Sequence, residues 1–363
     1  MSPSGIGELL LTLIALEEGH NDEAINHVRA IPAGDHKIDL LLNAADRAFK
    51  KGNKVVLKGI LKELVTADID WSDGEKKHSA LVLLRCLIRM TNATSNDSSD
   101  RFNENALYIE KAHKILSLCN AQESLYEAEL DWLFRTSWNL AIQAATTAGT
   151  EEACILYNLT AKLLLLFPVK SVHCLQSLKI CAFAILVGKV NLSRQDETEG
   201  SPHLDDALAA LELLRGTLEE LRKIDPEGVK EDPVVGQSVY LEFEVRVKRK
   251  EWEGLKGIVE YAECVDASVQ IFERMAVTRH NCPSGVVFVT VQATLDAILK
   301  RDPEFDLTKF SQWFRVLVRT ALVSNRDAAF GLFEQVKAIV KSSASQGNAY
   351  PEEEINWLMI TAW

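Results

Sequence analysis

Helix-breaking residues are scarce in this sequence, with 9 prolines and 18 glycines among 363 residues. That composition does not suggest a disordered chain, and 47% hydrophobic residues are enough to fill a large core. The length suits two or three compact domains, or one continuous array of repeats. Paired cysteines are missing too. The seven cysteines are an odd number, at Cys86, Cys119, Cys154, Cys174, Cys181, Cys264 and Cys282, and no CxxC occurs. This excludes a disulfide framework or a zinc finger, and the cysteines read as small buried hydrophobes in a reducing compartment. Basic charge is in deficit: 40 Lys and Arg against 52 Asp and Glu leave a net charge of −12. Such a chain is disfavoured as a direct binder of nucleic acid, whose affinity comes largely from Lys and Arg neutralising phosphates.

Long apolar runs are short of what a bilayer requires. Leu163–Val169 and Ile180–Gly188 stop well before the roughly 20 residues of a spanning helix. Leu9–Leu16 has no positive segment before it and is followed at once by Glu17-Glu18, so it makes a poor signal peptide. The expectation is an intracellular, soluble protein without a membrane partner.

Catalytic signatures are also lacking, with no P-loop, GxGxxG, GxSxG or HExxH. Asp205-Asp206 has Ala209 where a third carboxylate would stand, and reads as an acidic first helical turn. The close pairs His173-Cys174 and His280/Cys282 have no partner pair at zinc-ligand spacing. Arg246, Lys248, Arg249 and Lys250 interleave with Glu242, Glu244, Glu251 and Glu253, as on a solvated helix face. No catalytic residue, cofactor, metal or small-molecule substrate is expected, and the chain does not read as an enzyme.

What is abundant is helical periodicity. Even Val286-Val287-Phe288-Val289-Thr290-Val291, a strand by composition, continues without a break into a helical pattern and follows Pro283 and Gly285, so it reads as the start of a buried helix. Polar breaks fall near 91–103, 193–202, 225–236 and 342–351, and read as loops between helix groups within one continuous unit over 1–363. The first of them, rich in Ser and Thr, could accept phosphate.

Ala15-Leu16-Glu17-Glu18-Gly19-His20-Asn21-Asp22-Glu23-Ala24 has the form of a tetratricopeptide turn, with Gly19 ending one helix and Ala24 letting the next close against it. Gly52 repeats Gly19 after 33 residues, and a third unit fits at Trp138, Ala141, Ala145, Gly149, Cys154 and Ala161. Weaker echoes lie at Trp252 to Ala262 and Ala321 to Phe330. The fold expected is all-α: tetratricopeptide-like helical hairpins stacked as a right-handed solenoid.

Two helices share a pattern. In Glu129–Asn139, the stripe Trp132, Leu133, Thr136, Leu140 is accompanied by a second, Phe134, Trp138, Ala141, Ala145, rotated by about 120°. A helix apolar on two stripes is expected to lie between neighbours. Glu354-Ile355-Asn356-Trp357-Leu358-Met359-Ile360-Thr361-Ala362-Trp363 repeats it, aligning Glu129 with Glu354, Trp132 with Trp357, Leu133 with Leu358 and Trp138 with Trp363.

The stretch Tyr350–Trp363 resembles the WL…AWN motif of the meiotic Zip-four / Spo-twenty-two family. Leu84-Arg85-Cys86-Leu87-Ile88-Arg89, Trp132 to Asn139 with its Trp138-Asn139 pair, and Phe310-Ser311-Gln312-Trp313-Phe314-Arg315 are similar to family stretches in the same order. The resemblance covers most of the chain and implies a fungal-type member or fragment. It implies a tetratricopeptide-like scaffold, nuclear and chromosome-associated in meiosis, that promotes crossovers and synaptonemal complex assembly. Its partners would be crossover factors and chromosome-axis proteins. The family motif continues past the position of Trp363, which implies a truncated chain, a short gene model or a divergent member. A generic tetratricopeptide adaptor or co-chaperone that binds a peptide in a concave groove is the alternative. Trp132, Trp138, Trp313 and Trp357 are expected to be structurally important.

Overall fold

The computed structural model describes residues 3–34, 36–66, 74–94, 98–119, 124–196, 201–278, 282–301, 306–324, 326–345 and 350–362. These hold eighteen α-helices and no strand. They fall into two compact units, Met1–Cys174 and Leu175–Trp363.

The first unit comprises α1 (Pro3–Glu18), α2 (Asn21–Ala30), α3 (Lys37–Lys50), α4 (Lys54–Thr66), α5 (Gly74–Thr94), α6 (Ser98–Ser117), α7 (Ser124–Thr147) and α8 (Thr150–Leu165). Consecutive helices pair as hairpins, α1 with α2, α3 with α4, α5 with α6 and α7 with α8. Like then packs on like: α1 against α3, α2 against α4, α6 against α8. One apolar core runs through the stack from Leu9 to Leu163.

The spacing of the first two hairpins has a visible cause. Gly19 and Gly52 both take positive φ, +82° and +72°, which only glycine adopts without strain. Past each, the chain folds back on the helix it leaves: the His20 N–H donates to the Ala15 carbonyl at 2.9 Å, and the Asn53 N–H to the Ala48 carbonyl at 3.0 Å. Asn53 Nδ2 donates to Asn21 Oδ1 at 2.6 Å, tying one turn to the other. Lys51 Nζ caps the carbonyls of Leu16 and Glu17 at 2.6 and 2.8 Å. The third unit read from the sequence departs from this, because Gly149 is extended (φ −172°) and precedes α8 as its N-cap, while Ala145 is exposed. The left-handed turn instead recurs at Lys250 (φ 60°) and Asp266 (φ 55°), with Glu251 N–H donating to the Arg246 carbonyl and Ala267 N–H to that of Ala262.

The second unit holds nearly all of α9 (Val172–Gln195), then α10 (Pro202–Ile224), α11 (Pro226–Lys230), α12 (Pro233–Lys248), α13 (Leu255–Cys264), α14 (Val269–Val277), α15 (Ser284–Arg301), α16 (Leu307–Ser324), α17 (Arg326–Ser345) and α18 (Glu352–Ala362). Here too helices pack against the next and the next but one, as α12 does with α13 and α14. The β-branched run at 286–291 is helical. Thr290 and Thr294 are fully buried in α15 and send their hydroxyls back to the Val286 and Thr290 carbonyls, so burial prevails over strand propensity.

Two of the expected breaks are shorter than the sequence implied. Between 91 and 103, α5 continues to Thr94 with Thr91 buried inside it, and α6 has begun by Ser98, with Ser99 donating to Glu152. The stretch 225–236 forms α11 and starts α12. Asp225 accepts from the Gly228 N–H and Asp232 from the Val234 N–H, each ahead of a proline at the first helical position.

Three sequence readings are corrected inside these units. Among the described residues one helix, α9, is long and apolar enough to cross a membrane. Half of its apolar window is buried, and Lys179, Lys189 and Arg194 along it pair with Asp232, Asp206 and Glu244. Interleaved charge on α12 is not a solvated face. Glu242 and Glu244 are buried, the first paired with Arg215 and Arg246, the second with Arg194 at 2.6 Å. Burial pushes the Glu244 carboxyl up, but hydrogen bonds led by Arg194 outweigh it and leave it below the usual carboxylate range. The cysteines divide: Cys154, Cys174 and Cys181 are buried, with burial pushing the Cys181 thiol up to about 12, whereas Cys86 and Cys264 lie on outward faces of their helices.

Candidate functional site

The two helices with the shared pattern, α7 and α18, each meet a pair of arginines from an earlier helix of the same unit. On α5, Arg85 and Arg89 are one turn apart and face one way. On α7, Glu129 and Trp132 are likewise about one turn apart. The Arg85 guanidinium carbon lies 4.6 Å from the Trp132 ring centroid and that of Arg89 lies 5.6 Å from it. Arg85 Nη1 also donates to Glu129 Oε1 at 2.8 Å, with the carboxylate side chain only 10% exposed.

In the second unit the arrangement is repeated on different helices. Arg315 and Arg319 of α16 lie 4.8 and 5.4 Å from the Trp357 ring of α18. Arg315 Nε pairs with Glu354 Oε2 at 2.9 Å. Each clamp thus has an inner arginine, held by a carboxylate and a ring, and an outer arginine held by the ring alone. Among the described residues no carboxylate pairs with Arg89 or Arg319, and both are exposed. Both tryptophans are half-buried, which leaves part of each ring accessible.

The sequence pairing of Glu129 with Glu354 and Trp132 with Trp357 therefore identifies two positions that the structure brings into equivalent surroundings. The arginines carry a matching signal of their own. Leu84-Arg85-Cys86-Leu87-Ile88-Arg89 aligns with Phe314-Arg315-Val316-Leu317-Val318-Arg319 at an offset of 230, while the glutamates and tryptophans align at 225. Arg85, Arg89 and Arg315 lie within or at the end of the stretches singled out for the family resemblance; Arg319 does not. An alignment of α5 with α16 would have found it.

The other predicted residues are placed elsewhere. Leu133 and Leu358 are buried beside their clamps. Trp138 turns toward α8, edge-on to Tyr157 at 6.4 Å and tilted against Phe134 at 6.1 Å. Asn139 is exposed. Trp313 is partly buried against the apolar core built from α14 to α18. Trp363 lies outside the described residues, as does His280. The two apolar stripes read on α7 supply Leu133, Phe134, Leu140 and Ala141 to a single buried face that also holds Leu130, Ser137 and Ala144. Its one polar residue is satisfied, the Ser137 and Thr160 hydroxyls meeting at 2.7 Å. The tryptophans at its margins reach different neighbours, Trp132 toward α5 and Trp138 toward α8.

The two aspartates that open α10 are engaged in ion pairs. Asp205 pairs with Arg249, and Asp206 with Lys189 at 2.7 Å. Among the described residues no three His, Cys, Asp or Glu side chains gather to hold a metal ion.

No family model matches the sequence. Among solved structures the chain is similar to one described as "Circular tandem repeat protein with novel repeat topology and enhanced subunit contact surfaces". The identity is 16%, over 97% of this chain and 80% of that one, at a TM-score of 0.25. A superposition that loose carries no argument about fold or partner.

Proposed function

We propose that this chain is a non-enzymatic scaffold for other proteins. By its resemblance to the meiotic Zip-four / Spo-twenty-two family, it promotes crossover formation and synaptonemal complex assembly, bringing crossover factors to chromosome axes in the nucleus. The observation that carries the scaffold reading is the recurrence, in each of two helical stacks, of a half-buried tryptophan with an exposed arginine beside it. Tryptophan and arginine dominate the energetics of protein interfaces, since each offers a large, stiff contact surface with directional donors. The meiotic part rests on the sequence resemblance, and the stretches that carry it include Arg85, Trp132, Arg315 and Trp357.

Deleting the gene in its own host and scoring crossover frequency and spore viability against vegetative growth tests this. Fewer crossovers with normal growth is the expected result. Normal meiosis would remove the meiotic reading and put a generic tetratricopeptide adaptor first. The paired glycine turns at Gly19 and Gly52 favour that second reading as far as fold goes. A co-chaperone groove needs free basic residues, however, and here Lys50 pairs with Asp46 and Lys51 caps α1.

A further inference from the structure

The outer arginines pose a question that stability does not answer. Arg89 and Arg319 stand 5.6 and 5.4 Å from their rings, near the limit at which a cation and an aromatic face attract, and both are exposed. At an exposed site such a contact adds little to stability. The inner arginines already neutralise Glu129 and Glu354, so the outer pair is not needed for that. Yet the same side chain occupies the same place in both units.

We propose that Arg89 and Arg319 are docking points for carboxylates in an acidic segment of a partner protein, one point in each unit. This rests on the scaffold reading and names the chemistry of the partner. Three features support it. The carboxylate that each clamp holds is mostly buried and paired with the inner arginine, so among the described residues neither outer arginine has a carboxylate partner. A guanidinium laid against an indole has already lost part of its rotamer freedom, which lowers the cost of ordering it on binding. Its planar fork matches a carboxylate with two parallel hydrogen bonds, and the accessible part of the ring gives an apolar neighbour a surface to cover. The chain as a whole is acidic, at −12, so an acidic segment meets repulsion over much of the surface and attraction where basic side chains stand unpaired. A nucleic-acid duplex, with one charge per about 1.7 Å of its axis, would find the same forks but would carry far more charge into that repulsion than a short acidic segment.

Isothermal titration of the full chain with a short blocked peptide of alternating aspartate, glutamate and serine tests the proposal. The titration is run at physiological salt, where screening beyond about 8 Å mutes the overall repulsion. Two equivalents of peptide per chain are expected. Arg89→Glu or Arg319→Glu should each leave one equivalent, and the double variant should weaken binding at least about ten-fold, a loss of 1.4 kcal/mol or more. The Asn/Gln version of the peptide should not bind. Arg89→Gln and Arg319→Gln, with unchanged thermal melts, guard against a folding defect in the charge-reversed forms. Undiminished binding in the double variant overturns the proposal, as does equal binding of the amide peptide or no binding at all. Preferential binding of a single-stranded oligonucleotide at these arginines also overturns it, in favour of phosphate. A chain that is needed for crossovers but ignores the acidic peptide would defeat this inference and leave the scaffold standing. Stepwise peptide binding in a chain dispensable for meiosis would do the reverse to the meiotic reading.

Discussion

Removing the Arg85 side chain separates the inner arginine from the outer one most cleanly. Glu129 is 8% exposed; its Oε1 accepts from Arg85, and its Oε2 is buried with no hydrogen-bond partner among the described residues. Arg85→Ala would leave that carboxylate charged and unpaired inside the first unit. Breaking a buried pair from one side costs about 3–5 kcal/mol, because the remaining charge is neither solvated nor neutralised. Arg85 is 30% exposed, so water can follow the lost guanidinium and reduce the penalty. Its Nε is itself buried with no hydrogen-bond partner among the described residues, and its removal recovers a little more. With about 1 kcal/mol for the lost ring contact, the expected cost is about 3 kcal/mol. Arg89→Ala loses a weak ring contact only, and should cost below about 1 kcal/mol. Replacing both partners of the buried pair, as in Arg85→Met with Glu129→Leu, should return stability to within about 1 kcal/mol of the native chain, since the desolvation cost disappears together with the attraction. Equilibrium urea unfolding followed by circular dichroism, with a double-mutant cycle across Arg85 and Glu129, measures all of these. Equal costs for Arg85→Ala and Arg89→Ala would refute the division into inner and outer arginines.

Trp132→Ala should cost about 2 kcal/mol in the same assay, less than the 3–5 kcal/mol of a fully buried aromatic, because the ring is half-buried against Arg85 and Arg89; a cost above 4 would place the ring in the core after all. Gly52→Ala should destabilise by about 1 kcal/mol through backbone strain alone, since its φ is +72° and an added Cβ meets nothing within 4 Å. Lys250→Gly, at φ 60°, should stabilise by about 0.5–1 kcal/mol for the opposite reason, and thermal melts that moved the same way for both would refute the turn argument. Burial pushes the Glu104 carboxyl up, but hydrogen bonds from Lys58, Lys62 and Tyr108 more than reverse this and bring it to about 2. Its contribution, about 1–2 kcal/mol after allowance for solvent screening, is therefore present above its ordinary 4.5 and lost as pH falls from about 5 toward 2. Glu104→Gln should flatten stability across that window, and an unchanged acid limb would count against it.

How much of this was legible in the sequence follows from where each determinant lies. Helices and the first two hairpin turns could be read because their signals are local: a 3.6-residue period, and a glycine wherever the chain turns left-handed. Lys250 and Asp266 make the same turn without glycine, so nothing in the sequence marked them. The burial of Glu242 and Glu244 is not legible locally, because alternation with arginine and lysine looks the same on a wet face and in a neutralised interior. What decides between them is Arg215 and Arg194, 27 and 50 residues away, and no local pattern records that distance. The clamps fall between these cases. Glu129 with Trp132 and Glu354 with Trp357 repeat visibly, but their arginines lie upstream by 44 residues in one unit and 39 in the other. That difference hides the match from any search at fixed period.

Conserving the geometry while the spacing drifts says what is being held constant. Stacked hairpins bury apolar faces, and that packing tolerates slippage and many substitutions of similar volume. A buried glutamate does not, because it is stable only where a guanidinium reaches it. The inner arginine thus fixes how one helix lies against another, in the way a buried polar pair can specify register at some expense of stability. A tryptophan beside it shields the pair and at the same time presents a rim to solvent. The outer arginine then extends a structural device to the surface without being required by it. That asymmetry yields a test independent of any partner. Exchanging Arg85 for lysine, which keeps the charge but loses the planar fork, should weaken the fold by about 1–2 kcal/mol, whereas the same exchange at Arg89 should leave stability within about 0.5 kcal/mol. If lysine at Arg89 destabilised the first unit as much as lysine at Arg85, both arginines would be structural, and the surface role assigned to the outer one would fall.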